Sequence, residues 1–137
     1  MKIEDLNKIL VIGAGTMGHQ IGFLCALNGY NVVVYDINQD VLDKASERVK
    51  LFADKLVHMK RLKADEKENS LDRMTYTTDK DLAAKDADLI TESVPEDPKM
   101  KATIFKTFNE LCPERTIFTT NTSTLIPSMI AEETGRP

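Results

Sequence analysis

The sequence predicts a three-layer α/β fold, in which helices cover both faces of a doubly wound, mainly parallel sheet. Residues 9–12 and 32–35 form uninterrupted apolar runs rich in β-branched residues. Such runs are typical of parallel strands that are buried on both faces. Further strand-like segments alternate with segments of helical periodicity along the chain, which is the pattern of a doubly wound fold.

Length and charge indicate one domain with a small-molecule partner. The chain has 137 residues, of which 42% are hydrophobic and 29% are charged, as in ordinary globular domains. Its formal net charge is -4. Because nucleic acids and anionic membrane surfaces bind clustered positive charge, we expect neither as the main partner.

The uncharged segment 9–35 is long enough for a membrane span, but its composition favours a buried strand, helix and strand. It contains no Asp, Glu, Lys or Arg and five of the six glycines in the chain. It also contains Gln20, Asn28 and Asn31, and it changes from β-branched to small residues and back. Small and polar residues in that order fit a turn and a helix between two strands better than a span.

The two cysteines, Cys25 and Cys112, are predicted to be reduced thiols in buried, structural positions. They lie far apart and have no metal-ligand spacing around them, so we expect no metal site. The first residues include acids where a secretory signal would be basic and then apolar. A cytoplasmic location is therefore expected.

After the second strand, a long amphipathic helix is predicted from Asn38 to about Arg61. Its apolar stripe recurs every three or four residues and consists of Val41, Ala45, Val49, Phe52 and Leu56. Residues 63–72 are polar and have no pattern, so we interpret them as a loop or as an extension of that helix.

The remaining elements follow the same alternation. A short strand at 74–78 and a short helix at 81–85 precede a strand at 88–94. The next helix, at 98–112, is predicted to direct four apolar residues inward, namely Met100, Ile104, Phe108 and Leu111. A strand at 116–120 leads to a turn and a last helix, with Pro127 in the first position, where a missing N–H costs nothing.

The main chemical motif is Gly-Ala-Gly-Thr-Met-Gly at 13–18, directly after the first strand and at the start of a helix. In such a motif the first glycine (Gly13) permits a tight turn and the second (Gly15) admits a pyrophosphate close to the backbone. The third (Gly18) lets the helix pack on the strand. Amides near Gly15, Thr16 and Met17 would meet the phosphates at the positive end of the helix. The motif predicts a Rossmann-type dinucleotide-binding domain.

Asp36 ends the second apolar run, 18 residues past Gly18, where such a domain needs an acid for the adenosine ribose. Its carboxylate would accept a hydrogen bond from a free 2′-hydroxyl and repel a 2′-phosphate, and residues 37–39 supply no cation. The sequence therefore predicts NAD rather than NADP. The alternative role for Asp36 is to cap the following helix.

Three segments together resemble the N-terminal, NAD-binding domain of the 3-hydroxyacyl-CoA dehydrogenases, including bacterial 3-hydroxybutyryl-CoA dehydrogenases. They are Val-Ile-Gly-Ala-Gly-Thr-Met-Gly at 11–18, Asp-Ala-Asp-Leu-Ile-Thr-Glu-Ser-Val-Pro-Glu at 86–96 and Thr-Asn-Thr-Ser-Thr-Leu at 120–125. The resemblance implies NAD as cofactor and an acyl-CoA as substrate. The implied reaction is reversible hydride transfer at C3 of a 3-hydroxyacyl-CoA, in fatty-acid and butanoate metabolism.

The same resemblance implies that Val94, Pro95 and Glu96 contact the cofactor at the carboxyl end of the fourth strand. It also implies a contact from Lys101, which lies about one helical turn after Glu96. Such folds bind ligands at the carboxyl ends of their parallel strands. Without the family, the better interpretations are a first-turn helix acid for Glu96 and a solvated surface lysine for Lys101.

Ser123 matches the family serine that lies beside both the nicotinamide and the 3-oxygen of the substrate, and Asn121 precedes it at the end of its strand. A hydroxyl can donate to a carbonyl oxygen and accept from an alcohol, so it serves both directions of the reaction. The alternative is a turn or cap serine. The chain departs from the family at Thr124, where a second serine is frequent, and at Ile126, which forfeits a side-chain cap.

Neither histidine is expected to be the catalytic base, because His19 lies just inside the first helix and His58 near the end of the long one. In the family the base comes in a His-Phe-Phe-Asn-Pro-like segment, and a helical domain that follows binds acyl-CoA and forms the dimer. We expect residues 1–137 to be an NAD-binding domain without these parts, unable to turn over substrate alone, and a homodimer only in the complete protein. The alternative is a non-enzymatic NAD-binding protein, crystallin-like or a sensor.

Overall fold

A computed structural model describes residues 2–135, which contain one parallel sheet. The strands are β1 (Lys8–Ile12), β2 (Asn31–Tyr35), β3 (Met74–Thr77), β4 (Leu89–Glu92) and β5 (Ile117–Thr120). Neighbouring strands pair in parallel in the spatial order β3-β2-β1-β4-β5. The chain runs outward from β1 to β3 and then returns to the other side of β1, so the predicted doubly wound sheet is confirmed.

Helices cover both faces of this sheet. They are α1 (Thr16–Leu27), α2 (Gln39–His58), α3 (Ala64–Asp72), α4 (Lys80–Ala84), α5 (Pro98–Leu111) and α6 (Ser128–Thr134), and a short 3-10 helix (Ile3–Asp5) precedes β1. The helices α1 to α3 lie on one face, α4 and α5 lie on the other, and α6 packs on α5. The three predicted layers are therefore present.

The central strand β1 contributes to two separate cores. Ile9 and Val11 pack with buried residues of α1 and α2, whereas Leu10 and Ile12 pack with residues of α4 and α5. Successive side chains of a strand point to opposite faces, so a strand between two helical layers is apolar at every position. This geometry explains the uninterrupted apolar runs of the sequence.

The uncharged segment 9–35 forms β1, α1 and β2, as its composition predicted. No helix within residues 2–135 combines the length and the apolar character that are needed to cross a membrane. Cys112 is buried, as expected, whereas Cys25 is half-buried, so the buried position predicted for Cys25 was wrong. Burial raises the pKa of the Cys25 thiol.

The segment 63–72 and the inner face of α2 differ from the sequence prediction. Residues 64–72 form the separate helix α3, so both the loop and the helix extension were wrong. On α2, Leu42 and Ala53 are buried, whereas Phe52 remains 51% exposed. The buried residues of α2 follow one helical stripe that includes Ala53, and Phe52 lies beside this stripe, where its ring packs edge-on against Phe23 at 6.0 Å.

The inner face of α5 is also rotated from the predicted one. Met100 is 44% exposed, whereas Lys101, Ala102 and Phe105 are buried beside Phe108. Apolar periodicity cannot predict a buried lysine, since an ammonium group is buried only when an acidic partner is within reach. The partner is described below.

Asp88 joins three segments at the edge of the sheet where the strands begin. Its Oδ2 atom accepts hydrogen bonds from the amides of Asn7 and Lys8, each at 2.9 Å, and its Oδ1 atom accepts from Arg115 at 3.1 and 3.2 Å. Burial alone would raise the pKa of Asp88, but the two amides and Arg115 together outweigh it and lower the pKa. The carboxylate is therefore stabilised in its charged form.

We expect Asp88→Asn to lower the free energy of unfolding by about 1–3 kcal/mol at neutral pH, because charge-assisted hydrogen bonds are lost. The folded-state pKa of Asp88 lies below its unfolded value, so this stabilisation is full above the unfolded value and disappears as the pH falls through the folded one. Urea unfolding from about pH 5 to pH 2 should show the parent and the variant converging. The exposed Asp72 provides the control Asp72→Asn, and a gap that widens on acidification would contradict this assignment.

Candidate dinucleotide site

The predicted cofactor residues lie along one edge of the sheet, at the carboxyl ends of the parallel strands. The glycine loop joins β1 to α1 at the centre, and Asp36 follows β2 on one side. Glu96 and Ser123 follow β4 and β5 on the other side. Since adjacent strands are about 4.8 Å apart, this edge offers a continuous path for an extended dinucleotide.

Two glycines of the loop are required by the protein's own packing. Gly13 has a φ of +97°, and a Cβ atom there would lie 2.8 Å from the Ser93 carbonyl oxygen. A Cβ atom on Gly18 would lie 1.8 Å from the Gly13 carbonyl oxygen, so no larger residue fits between β1 and α1. These contacts agree with the tight turn and the close helix packing that the motif predicts.

Gly15 has a different environment. A Cβ atom there would meet no heavy atom of the described residues within 4 Å, and the residue is exposed. Packing within the chain therefore does not require a glycine at this position. Open space above the backbone fits close approach of a pyrophosphate, which is the role predicted for Gly15.

The start of α1 lies at the same place and has the features of an anion site. Gly15 is the N-cap and its backbone leads into α1 without a side-chain cap, and the first turn of the helix carries no acid. Thr16 and Met17, the first two helical residues, are exposed. The first amides of a helix have no partner within it, so they and the helix dipole suit a phosphate group.

Asp36 is held against the glycine loop. Its Oδ2 atom accepts from the Ala14 amide and its Oδ1 atom from the Asn38 amide, both at 3.0 Å. A carboxylate has about four acceptor positions, so capacity remains for ribose hydroxyls. The alternative role of Asp36, as the cap of the following helix, was wrong. The N-cap of α2 is Asn38, whose side chain accepts a hydrogen bond from the Asp40 amide.

A fully buried ion pair supports the other half of the edge. Lys101 on α5 and Glu92 at the end of β4 are both 0% exposed, and Lys101 Nζ lies 3.0 and 2.9 Å from the two Glu92 carboxylate oxygens. Glu92 also accepts from the Val94 amide and the Thr120 hydroxyl, each at 2.6 Å. The pair thus connects the ends of β4 and β5 with α5.

The sequence interpretation of Lys101 as a surface lysine was wrong, and Glu92 was missed altogether. The available signal was a glutamate inside a predicted buried strand, nine residues before a lysine on the next helix. A charge in such a strand requires a partner. Direct contact between Lys101 and the cofactor stays a prediction.

Glu96 lies in the loop between β4 and α5, and its side chain is 43% exposed. The N-cap of α5 is Asp97, which accepts hydrogen bonds from the amides of Lys99 and Met100. Glu96 therefore precedes the helix, and its interpretation as an acid in the first helical turn was wrong. Its Oε1 atom lies 3.6 Å from Lys101 Nζ. Val94 and Pro95 lead from the Glu92 pair to this carboxylate.

Asn121 and Ser123 follow β5 directly, and both are exposed. The Asn121 amide donates to the Glu92 carbonyl oxygen at 2.8 Å, which extends the pairing of β5 with β4. The hydroxyl that caps the next turn belongs to Thr122, at 3.0 Å from the Leu125 amide. The following helix α6 starts at Ser128 without a side-chain cap, and its N-cap is Pro127, so the prediction of Pro127 as the first helical residue was wrong by one position.

The two histidines lie just inside α1 and at the end of α2, where the sequence placed them. His19 is buried, and its Nδ1 atom is 2.6 Å from the Gly15 carbonyl oxygen. His58 is exposed at the end of α2.

Residues 8–137 match the family described as the 3-hydroxyacyl-CoA dehydrogenase NAD binding domain. The chain belongs to this family. The resemblance inferred from the three sequence segments is thereby confirmed, and so is NAD as the cofactor of the domain.

Members of the 3-hydroxyacyl-CoA dehydrogenase family are similar over nearly the whole chain. The 3-hydroxyadipyl-CoA dehydrogenase of Escherichia coli (strain K12) is 34% identical over 133 residues, which are 97% of this chain and 28% of the relative. The 3-hydroxybutyryl-CoA dehydrogenase of Clostridioides difficile is 39% identical over 131 residues, 95% of this chain and 46% of the relative. The solved (S)-3-hydroxybutyryl-CoA dehydrogenase of Ralstonia eutropha superimposes with a TM-score of 0.91 at 30% identity, covering 96% of this chain and 46% of that one.

The NAD-binding domain spans less than half the length of these curated relatives. The family and the cofactor are established by the comparisons, whereas the roles of individual residues stay predictions. The residues concerned are those of the glycine loop together with Asp36, Glu96, Lys101 and Ser123.

Proposed function

We propose that this chain binds NAD across the carboxyl edge of its sheet. The adenosine ribose lies at Asp36, the pyrophosphate over Gly15 and the start of α1, and the nicotinamide half toward Glu96 and Ser123. The observation that carries the proposal is the adjacency of Asp36 and the loop, joined by the hydrogen bond from the Ala14 amide to the Asp36 carboxylate. Since this bond lies on the β2 side of β1, the other half of an extended cofactor extends toward β4 and β5.

In a complete enzyme, we propose, the bound NAD accepts or returns a hydride at C3 of a 3-hydroxyacyl-CoA. The Ser123 hydroxyl would hold the 3-oxygen, since it can donate to a ketone and accept from an alcohol. A further helical domain would supply the acyl-CoA contacts, the base and the homodimer interface. The cytoplasmic location also stays a proposal, which is supported by a sequence with only two cysteines that lie far apart.

A second proposal is that the chain by itself binds NAD without turnover. The observation that favours it is the placement of its two histidines. The imidazole of His19 is buried against the Gly15 carbonyl, and His58 lies at the far end of α2. A non-enzymatic NAD-binding protein, crystallin-like or a sensor, would share this arrangement.

Cofactor choice provides the direct test of the proposed site. Replacing Asp36 with Ala should weaken NAD binding by about 1–3 kcal/mol, or roughly 5- to 150-fold, because a charged hydrogen-bond acceptor is lost. NADP binding should suffer less or improve, since the repulsion of its 2′-phosphate is removed. Calorimetric titration of both cofactors measures the two changes.

The matched control is Asp40→Ala, an exposed acid in the first turn of α2. It should leave both affinities within about twofold, as expected for a surface substitution. A parent chain that prefers NADP, or an Asp36→Ala variant that binds NAD like the parent, would refute the ribose role of Asp36.

A further inference from the structure

The turn that carries Ser123 is organised by a neighbouring hydroxyl. The Thr122 Oγ1 atom accepts hydrogen bonds from the Thr124 amide at 3.3 Å and the Leu125 amide at 3.0 Å. It also donates to the Oε2 atom of Glu96 at 2.8 Å. A hydroxyl has one donor and two acceptor positions, so the whole hydrogen-bonding capacity of Thr122 is used at this site.

These bonds connect two loops that are distant in the sequence. Glu96 follows β4 and Thr122 follows β5, 26 residues further along the chain. The Glu96 carboxylate lies next to Lys101, and Lys101 is paired with Glu92 in the interior. Thr120, two residues before Thr122, donates to the same Glu92. The start of the turn is thus attached to the buried ion pair twice, directly through Thr120 and indirectly through Thr122 and Glu96.

We propose that Thr122 is a positioning residue for the nicotinamide half of the site. Its hydroxyl holds the turn that presents Ser123 at a set distance from the Glu96 carboxylate. This inference rests on the proposed function, in which Glu96 and Ser123 contact the cofactor. Side chains that are held by neighbours on rigid elements lose less conformational freedom when a ligand binds, and this strengthens binding.

Thr124 is a natural comparison within the same turn. Its hydroxyl is 3.5 Å from the same Glu96 oxygen, at the outer limit of a hydrogen bond. Its side chain does not accept the amide bonds that close the turn, which end on Thr122. The two threonines therefore share a neighbour but differ in their contribution.

The test compares binding of NADH, which has a nicotinamide, with binding of ADP, which does not. Thr122→Val removes the hydroxyl and keeps the shape, and it should weaken NADH binding roughly 5- to 10-fold. ADP affinity should stay within about twofold, because ADP reaches only the Asp36 and glycine-loop side of the edge. NADH fluorescence and calorimetry measure the two affinities.

Two further variants make the result specific. Thr122→Ser retains the hydroxyl and should restore NADH affinity to within about twofold of the parent, and Thr124→Val should change it no more than that. Loss of ADP and NADH binding together in Thr122→Val would overturn the inference, since it would indicate a general structural role. Unchanged NADH binding in Thr122→Val would overturn this inference alone, whereas a parent chain without NADH affinity would overturn the proposed function itself.

Discussion

Lys101→Met is expected to lower the free energy of unfolding by about 3–5 kcal/mol, because it leaves the Glu92 carboxylate buried without a cation. Both side chains are fully buried, so water cannot replace the lost partner. Urea unfolding at neutral pH should show a midpoint lower by roughly 2 M, given a typical dependence of about 2 kcal/mol per M.

Two variants separate a buried charge from an ordinary loss of packing. Lys106→Met changes an exposed lysine of the same helix and should shift stability by no more than about 0.5 kcal/mol. Adding Glu92→Gln to Lys101→Met removes the orphaned charge, so the double variant should recover most of the loss. A single variant within about 1 kcal/mol of the parent would show that the pair is hydrated or open in solution.

The second large effect concerns turnover. The purified chain is expected to bind NADH but not to oxidise it with acetoacetyl-CoA, because neither histidine lies at the turn of Ser123. A positioned general base contributes a factor of about 100 to 10,000, and missing orientation of the substrate adds to the deficit. The rate should therefore fall well below the roughly 10 per second that is typical of enzymes.

The assay follows nicotinamide absorbance with acetoacetyl-CoA, while NADH fluorescence reports binding in the same sample. A complete 3-hydroxybutyryl-CoA dehydrogenase provides the positive control for the reagents. Oxidation on the order of 1 per second or faster would show that another group replaces the base. His19→Ala and His58→Ala would then identify whether either histidine is that group.

Features that depend on short-range patterns were predicted well from the sequence. The apolar runs at 9–12 and 32–35 became the central strands of a parallel sheet. The glycine spacing and Asp36 lie where the motif requires them, since a strand, a tight turn and a helix start are each specified by residues close in sequence. Apart from α3, the order of strands and α-helices along the chain was predicted correctly for the same reason.

The inner faces of α2 and α5 were predicted less well. Periodicity places several residues near the interior, but the neighbouring element decides which of them is covered. Ala53 is buried in place of Phe52, whose ring packs against Phe23 instead, and Lys101 is buried in place of Met100 because Glu92 compensates its charge. These choices depend on contacts between elements.

The sequence by itself determined the fold class, the family and the residues of the proposed cofactor edge, because each rests on local spacing or on segments shared with relatives. The tertiary structure decided what supports the proposed nicotinamide half of that edge. The Glu92–Lys101 pair and the Thr122–Glu96 hydrogen bond join residues that are 9 and 26 positions apart. Their strength depends on burial and on the approach of separate elements, neither of which is encoded in the spacing of any one segment.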